Sequence, residues 1–224
     1  MKKALDFSIT DDGYGIHTFE LSYPHINHLI FNELKERFSD EERFSYYKRF
    51  FKDGYMICAY PKFKGMRIHL IHRYPNHYYM EIIITPWSLL RDETGTTQIF
   101  FDESALTTLE HYINICITET MGAEYNLDSF NLSRIDCCVN VMLSEDYSAA
   151  RYIKLIRRSI ITRSKKNEIL YDSSKKNYKE KNKHNFRLIT DNVTFTAYDK
   201  YYQLDDIRVD YESISDSLLR LELS

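Results

Sequence analysis

Five short runs constrain this chain more than any other feature. They are MRIHLIHR (Met66–Arg73), HYYMEIIIT (His77–Thr85), LSRIDCCVNVML (Leu132–Leu143), NVTFTAYDK (Asn192–Lys200) and SLLRLELS (Ser217–Ser224). The first four carry β-branched or aromatic residues and the fifth is leucine-rich, and in each the polar and apolar side chains tend to alternate, the signature of a β-strand with two unlike faces. Such strands cannot stand alone, because their backbone groups and apolar faces both need partners. A sheet is therefore required. YMICAY (Tyr55–Tyr60) joins the first two runs, and YPN makes a turn between those two, so an antiparallel meander is expected.

Helical spacing appears between the strands. Asn27–Phe51 carries apolar residues at helical intervals and reads as one or two helices. DESALTTLEHYINICITETMG has Asp102 or Ser104 as its N-cap and Gly122 as its stop, with Leu106, Leu109, Ile113 and Ile117 as the buried stripe. Ser144–Ile161 reads as a further helix opened by a serine cap. The order of elements predicts an α+β fold, an antiparallel β-sheet with helices packed on one face. Residues 1–54 form an unassigned N-terminal helical segment in this reading, and 55–224 form the main domain.

Charge is unevenly spread. Arg151–Arg187 holds 13 Lys or Arg against three acids, whereas the whole chain carries −3. A basic segment on an acidic body marks a polyanion-binding surface or, more plainly, a solvated loop. Arg157 and Arg158 on a helix, with Lys165, Lys166, Lys175 and Lys176 beyond it, are the candidates to grip phosphates. The four cysteines show no CxxC spacing and read as reduced thiols, neither a disulfide framework nor a zinc site. No run is long enough for a membrane span or a signal peptide. A cytoplasmic protein without a membrane partner is expected. The 19 Tyr and 13 Phe suit half-buried sheets, and they also suit stacking on bases.

Alternation sorts the strand residues onto faces. Ile135, Cys137, Val139 and Val141 share an apolar face, opposite Arg134, Asp136, Cys138 and Asn140. Leu219, Leu221 and Leu223 point to the core in this reading, leaving Arg220 and Glu222 opposite. Tyr198 and Glu81 also stand on polar faces. Convergence of these carboxylates would suit a hard divalent ion, and a tyrosine beside it would be a nucleophile. A polar face that simply meets water explains the same pattern.

Three quoted pieces then add a resemblance. SRIDCCVNV resembles the R-x-D strand of plasmid and phage replication initiators, AYDKYYQL their Y-[DE]-K motif, and LLRLEL their closing L-R-x-E strand. Order and spacing agree over roughly Ile68 to Ser224, and MEIIITPWSLL is similar to the strand and turn before the R-x-D element. The family is the rolling-circle initiator group of Firmicute plasmids and phages, of the Rep_trans type without a His-hydrophobic-His motif. The resemblance implies an endonuclease that nicks and joins single-stranded or extruded origin DNA through a 5′-phosphotyrosine, with Mg²⁺ or Mn²⁺. Carried over, Tyr198 is the nucleophile with Tyr202 as rival, and Lys200 supports the phosphate or the phenolate. Asp136 and Glu222 are metal ligands, and Glu81 is a third carboxylate chosen by parity. Arg134 and Arg220 join the DNA contacts. DNA is the implied partner, with a helicase and a second copy of the chain as further candidates.

His69 and His72, with two residues between them in HLIH, fall on opposite faces of one strand and do not make the His-hydrophobic-His motif. His25 and His28 near a helix start lack a carboxylate partner. Relatives continue past the closing strand, so a truncated or minimal member is expected. A non-catalytic DNA-binding regulator on the same fold is the alternative reading, and a structural domain with a solvated basic loop is the third.

Overall fold

The computed structural model describes residues 13–24, 26–91, 98–143, 148–159, 167–169, 183–190, 193–206 and 218–224. No helix among them is long and apolar enough to cross a membrane. The fold is α+β, mostly antiparallel sheet with few helices. It divides into two compact units, the first from residues 18–91 and 102–135, the second from 13–17, 98–101 and the described residues from 136 onward. Strands β1 (Gly13–Tyr23) and β6 (Asn131–Met142) lend residues to both.

In the first unit the strand order is β2 (Phe44–Phe51), β3 (Gly54–Pro61), β4 (Met66–Arg73), β5 (His77–Ile84), β1, β6. The meander β3-β4-β5 matches the expected strands closely, and a turn at Tyr74–Asn76 joins the last two. One face carries Ile68, Leu70, Met80, Ile82 and Ile84, each fully buried, under α1 (His28–Phe38) with its inward Phe31, Leu34 and Phe38. Asn27 caps α1 by accepting the backbone N–H groups of Leu29 and Ile30 through its side chain. After α2 (Pro86–Arg91), α3 (Leu106–Met121) buries Leu109, Ile113, Cys116, Ile117 and Met121. Leu106 is 49% exposed, since it opens the helix outside the buried stripe. Gly122, at φ 127°, takes the left-handed conformation that ends α3.

Half of the segment read as helical is something else. Phe44–Phe51 is the strand β2, paired along its whole length with β3. Its eight residues FSYYKRFF are a strand composition, and pairing overrides the helical spacing of the longer window.

In the second unit the order is β1, β6, β10 (Leu218–Leu223), β9 (Thr194–Asp199), β8 (Asn185–Ile189), β7 (Asn167–Ile169). β8 overlaps the end of the basic segment at residues 185–187. Every registered pair is antiparallel. Helix α4 (Ala149–Ser159) sets Ala149 and Ile153 against Leu219, Ala197, Phe186 and Leu188. The short helix α5 (Lys200–Asp206) follows β9 directly and brings Lys200 back over Tyr198 on the opposite face of the sheet. Helices thus reach both faces here, not one.

Candidate functional site

Registry decides what the second unit presents. Arg220 pairs with Asn140 on one side and Tyr198 on the other, and Glu222 pairs with Cys138 and Thr196. Asp136, Cys138, Asn140, Tyr198, Arg220 and Glu222 therefore share a face, as alternation anticipates. What alternation misjudges is where that face lies. Asp136, Cys138, Asn140, Tyr198 and Arg220 are buried, and Arg220 has no exposed surface at all. On the other face Val139 is 40% exposed and Leu223 52%, so the expectation that Leu223 enters the core is overturned. The helix α4 reaches only the Val141–Leu219–Ala197 end of that apolar face.

A charged face goes inside only when its members satisfy one another. Arg220 donates from Nε to Asn140 Oδ1 at 2.6 Å and lies 3.4 Å from His17 Nδ1 through NH1. His17 Nε2 stands 3.5 Å from Glu222 Oε1. Tyr198 donates its hydroxyl to the same carboxylate oxygen. Lys200 Nζ donates to Gln203 Oε1 at 2.9 Å and sits 5.9 Å from the Tyr198 ring centroid. Gly15 allows β1 to approach this closely: Ile16 donates to the Phe100 carbonyl at 2.7 Å, and a β-carbon on Gly15 would strike that same carbonyl.

The electrostatics follow from burial and from the two cations. Desolvation, then Arg220 and Lys200, pulls His17 down to about 3, so its imidazole is neutral. Desolvation and Arg220 pull Lys200 down to about 7, with Glu222 and Cys138 opposing. Burial raises Glu222, against the Tyr198 hydrogen bond and Arg220. Burial also pushes Tyr198 well above the usual phenol range, although Arg220 works in the other direction. The Tyr198 phenol is neutral and hydrogen-bonded to a carboxylate with raised proton affinity.

Tyr202 lies in different company. Asp199 accepts the Tyr202 backbone N–H at 3.0 Å, capping α5, and its other oxygen is 2.9 Å from His184 Nδ1. The His184 ring stacks on Tyr202 with centroids 4.0 Å apart. The aspartate of YDK thus serves the helix start and the histidine, while the tyrosine and lysine on either side turn toward Glu222 and Arg220.

The remaining candidates are dispersed. Glu81 belongs to the first unit, 3.5 Å from His69 and near Glu20, whose own pKa is raised by burial and then by Glu81. His69 and His72 do face opposite ways: the former meets Glu81, the latter stacks on Tyr78. Arg134 is exposed. Arg157 is half-buried, bonding the Asn185 carbonyl at 3.0 Å and lying over the Phe186 ring, while Arg158 is exposed. Lys165, Lys166, Lys175 and Lys176, and also His25, lie outside the described residues. Arg220, assigned to DNA contacts by resemblance, is an interior residue of the cluster.

His17 is the member that sequence reasoning missed. Its signal was present: in GIHTFELSY the residues His17, Phe19, Leu21 and Tyr23 alternate, leaving one histidine on an otherwise apolar face. Asp136 and Glu222 are the oxygen donors that Mg²⁺ and Mn²⁺ accept, whereas the neutral imidazole of His17 suits softer divalent ions. Among the described residues, no group of three His, Cys, Asp or Glu is gathered closely enough to hold a metal. Arg220 and Lys200 already bring positive charge to these carboxylates.

No protein-family model and no curated protein matches this chain.

Proposed function

We propose that the second unit nicks and rejoins single-stranded DNA, as a replication initiator acting at an origin, with Tyr198 as nucleophile. One observation carries the reading. The R-x-D, Y-D-K and L-R-x-E strands are far apart in sequence, yet β6, β10 and β9 are neighbours, and the polar residues of all three meet around Arg220.

The chemistry suits phosphoryl transfer. The Tyr198 phenolic oxygen attacks the phosphorus, the bond from phosphorus to the 3′-oxygen breaks, Glu222 takes the phenolic proton, and solvent water protonates the departing 3′-oxygen. The products are a 5′-phosphotyrosyl bond and a 3′-hydroxyl, and attack by that hydroxyl reverses the step. A carboxylate raised by burial is a stronger base toward this proton than an ordinary one. Arg220 and Lys200 offset charge developing on the phosphate oxygens. Asp136 and Glu222, with His17 as neighbour, are the residues proposed to hold Mg²⁺ or Mn²⁺, which would add Lewis-acid stabilisation of the phosphate. Arg134 and Arg158 are the described cations proposed to hold the strand.

Tyr198 is 5% exposed, which favours a second reading: a DNA-binding regulator that keeps the buried cluster as a structural element and does not cut. Covalent capture separates the two. The chain is incubated with a pool of labelled single-stranded oligonucleotides and Mn²⁺, then denatured and sized. A labelled band that is lost in Tyr198→Phe and kept in Tyr202→Phe is the expected result. The reverse pattern moves the nucleophile to Tyr202. Salt-sensitive binding with no band from any oligonucleotide establishes the regulator.

A further inference from the structure

Among the described residues, the sheet of the first unit ends on β2, which pairs with β3 alone. Natural edge strands are kept short, charged or covered. This one displays aromatic rings: Tyr46 is 41% exposed, Tyr47 50% and Phe50 71%. Five of its eight residues are aromatic, two are cations and none is acidic.

The rings and cations are interleaved. Lys48 Nζ lies 3.9 Å from the Tyr55 centroid and 5.0 Å from that of Phe50. The Arg49 guanidinium is 5.8 Å from the Phe51 centroid, and Tyr47 stacks on Tyr60 at 6.1 Å with an interplanar angle of 28°. Registry puts Tyr46, Lys48 and Phe50 on one face with alternate residues of β3, β4 and β5, none of them acidic. Asp53, in the turn after β2, is engaged by Arg73. Alternate residues of a strand stand roughly 7 Å apart. That is about twice the 3.4 Å rise between stacked bases, so a base can sit between successive projections.

We propose that the β2 edge is a binding surface for single-stranded nucleic acid, with bases stacking on Tyr46 and Phe50 and a phosphate meeting Lys48 on the face those three share, and Arg49 meeting a second phosphate across the edge from the opposite face. A ring that stacks and a neighbouring cation that neutralises is the pattern single strands require. A second copy paired edge to edge would instead bring together two β2 strands that each carry two cations and no acid. The surface lies outside the Tyr198 cluster and does not depend on any chemistry there.

Photocrosslinking with 5-iodouracil-substituted 20-mers of DNA and of RNA, followed by peptide mapping, tests the surface. Fluorescence anisotropy then measures affinity for the same strands. The expected result is crosslinks within residues 44–51. Tyr46→Ala with Phe50→Ala should weaken binding about tenfold or more, with the melting temperature unchanged because both side chains are exposed. Lys48→Gln with Arg49→Gln should lower the slope of log affinity against log salt by about 1.4, the release expected for two phosphates of a single strand. Parallel loss for DNA and RNA marks a shared surface, and loss for one polymer identifies the source of the strand. Tyr198→Phe should leave these crosslinks in place even where it abolishes covalent capture. Unchanged affinity in both double variants, or crosslinks confined to other residues, would overturn the proposal. So would a dimer that the Tyr46/Phe50 variant converts to monomer, because the edge would then join two copies.

Discussion

The sheets of the two units obey opposite rules of burial. In the first, the face under α1 is the apolar one, and Ile68, Leu70, Met80, Ile82 and Ile84 vanish beneath it. In the second, β6 and β10 hide Asp136, Asn140 and Arg220 and leave Val139 and Leu223 half open. Alternation is equally clean in both. The lesson is that a period of two tells which residues share a face and never which face is dry. Hydrophobic transfer decides the question when one face is simply polar, but a face whose charges and hydrogen bonds close on themselves can also be packed.

The largest expected effect attacks that closure. Arg220→Met leaves Asn140 and Glu222 without their central cation, and should cost about 3–5 kcal/mol, as does breaking other buried ionic networks. That rivals Ile82→Ala in the first unit, about 2–5 kcal/mol for a buried aliphatic truncation. Urea titrations of the two variants make the comparison. A loss below 1 kcal/mol for Arg220→Met would mean the polar face is wet after all.

Neighbouring cysteines give a chemical version of the same test. Cys137 is exposed on the apolar face, while Cys138 is buried on the polar one with its thiol pushed up to about 12, chiefly by burial. Alkylation of the native chain should modify Cys137 at least roughly a hundredfold faster, by thiolate fraction and access together. Mass mapping after a time course reads the ratio, and equal rates would refute the assignment of faces.

Lys200 supplies a smaller, pH-dependent effect. Its folded pKa is about 7 against an ordinary 10.5, so between those values the unfolded chain binds more protons. The cost of burying this group is therefore fully present below pH 7 and is relieved as pH rises toward 10.5. Lys200→Met should raise the melting temperature at pH 7 by roughly 2–4 °C, about 1 kcal/mol in a chain of this size. Its advantage should shrink by pH 9.5. An advantage that grows with pH would contradict the sign.

The smallest effect lies on the open apolar face. Val139→Thr should change stability by no more than about 0.5 kcal/mol, the range of ordinary surface substitutions. A loss above 2 kcal/mol would show that something covers Val139 in solution.

Much of the fold was legible beforehand. β4, β5, β6, β9 and β10 fall where period-two runs predicted them, because short strands with punctuating turns carry their own boundaries. Phe44–Phe51 was not, since an aromatic strand preceded by a helix continues an apolar periodicity that only pairing with β3 interrupts. Asp136, Tyr198 and Glu222 were legible as a shared face. Their burial was not, because it depends on Arg220 reaching Asn140 and His17, contacts that span 80 and 203 residues. Glu81 shows the limit of parity as a guide. It stands on a polar face as expected, but parity says nothing about company, and its neighbours are His69 and Glu20.

The place of β10 bears on how the second unit comes into being. It follows both β6 and β9 along the chain, yet it lies between them. Those two strands cannot zip to each other and wait, as the hairpins β2-β3 and β3-β4 can. β10 can pair first with β9, its neighbour in the chain, whereas joining β10 to β6 closes a long loop, a high-contact-order event that is slow. A nascent or clipped chain lacking 218–223 would therefore carry Tyr198 beside β8 but without Arg220 and Glu222. The cluster around Arg220 is complete only once β10 lies between β6 and β9.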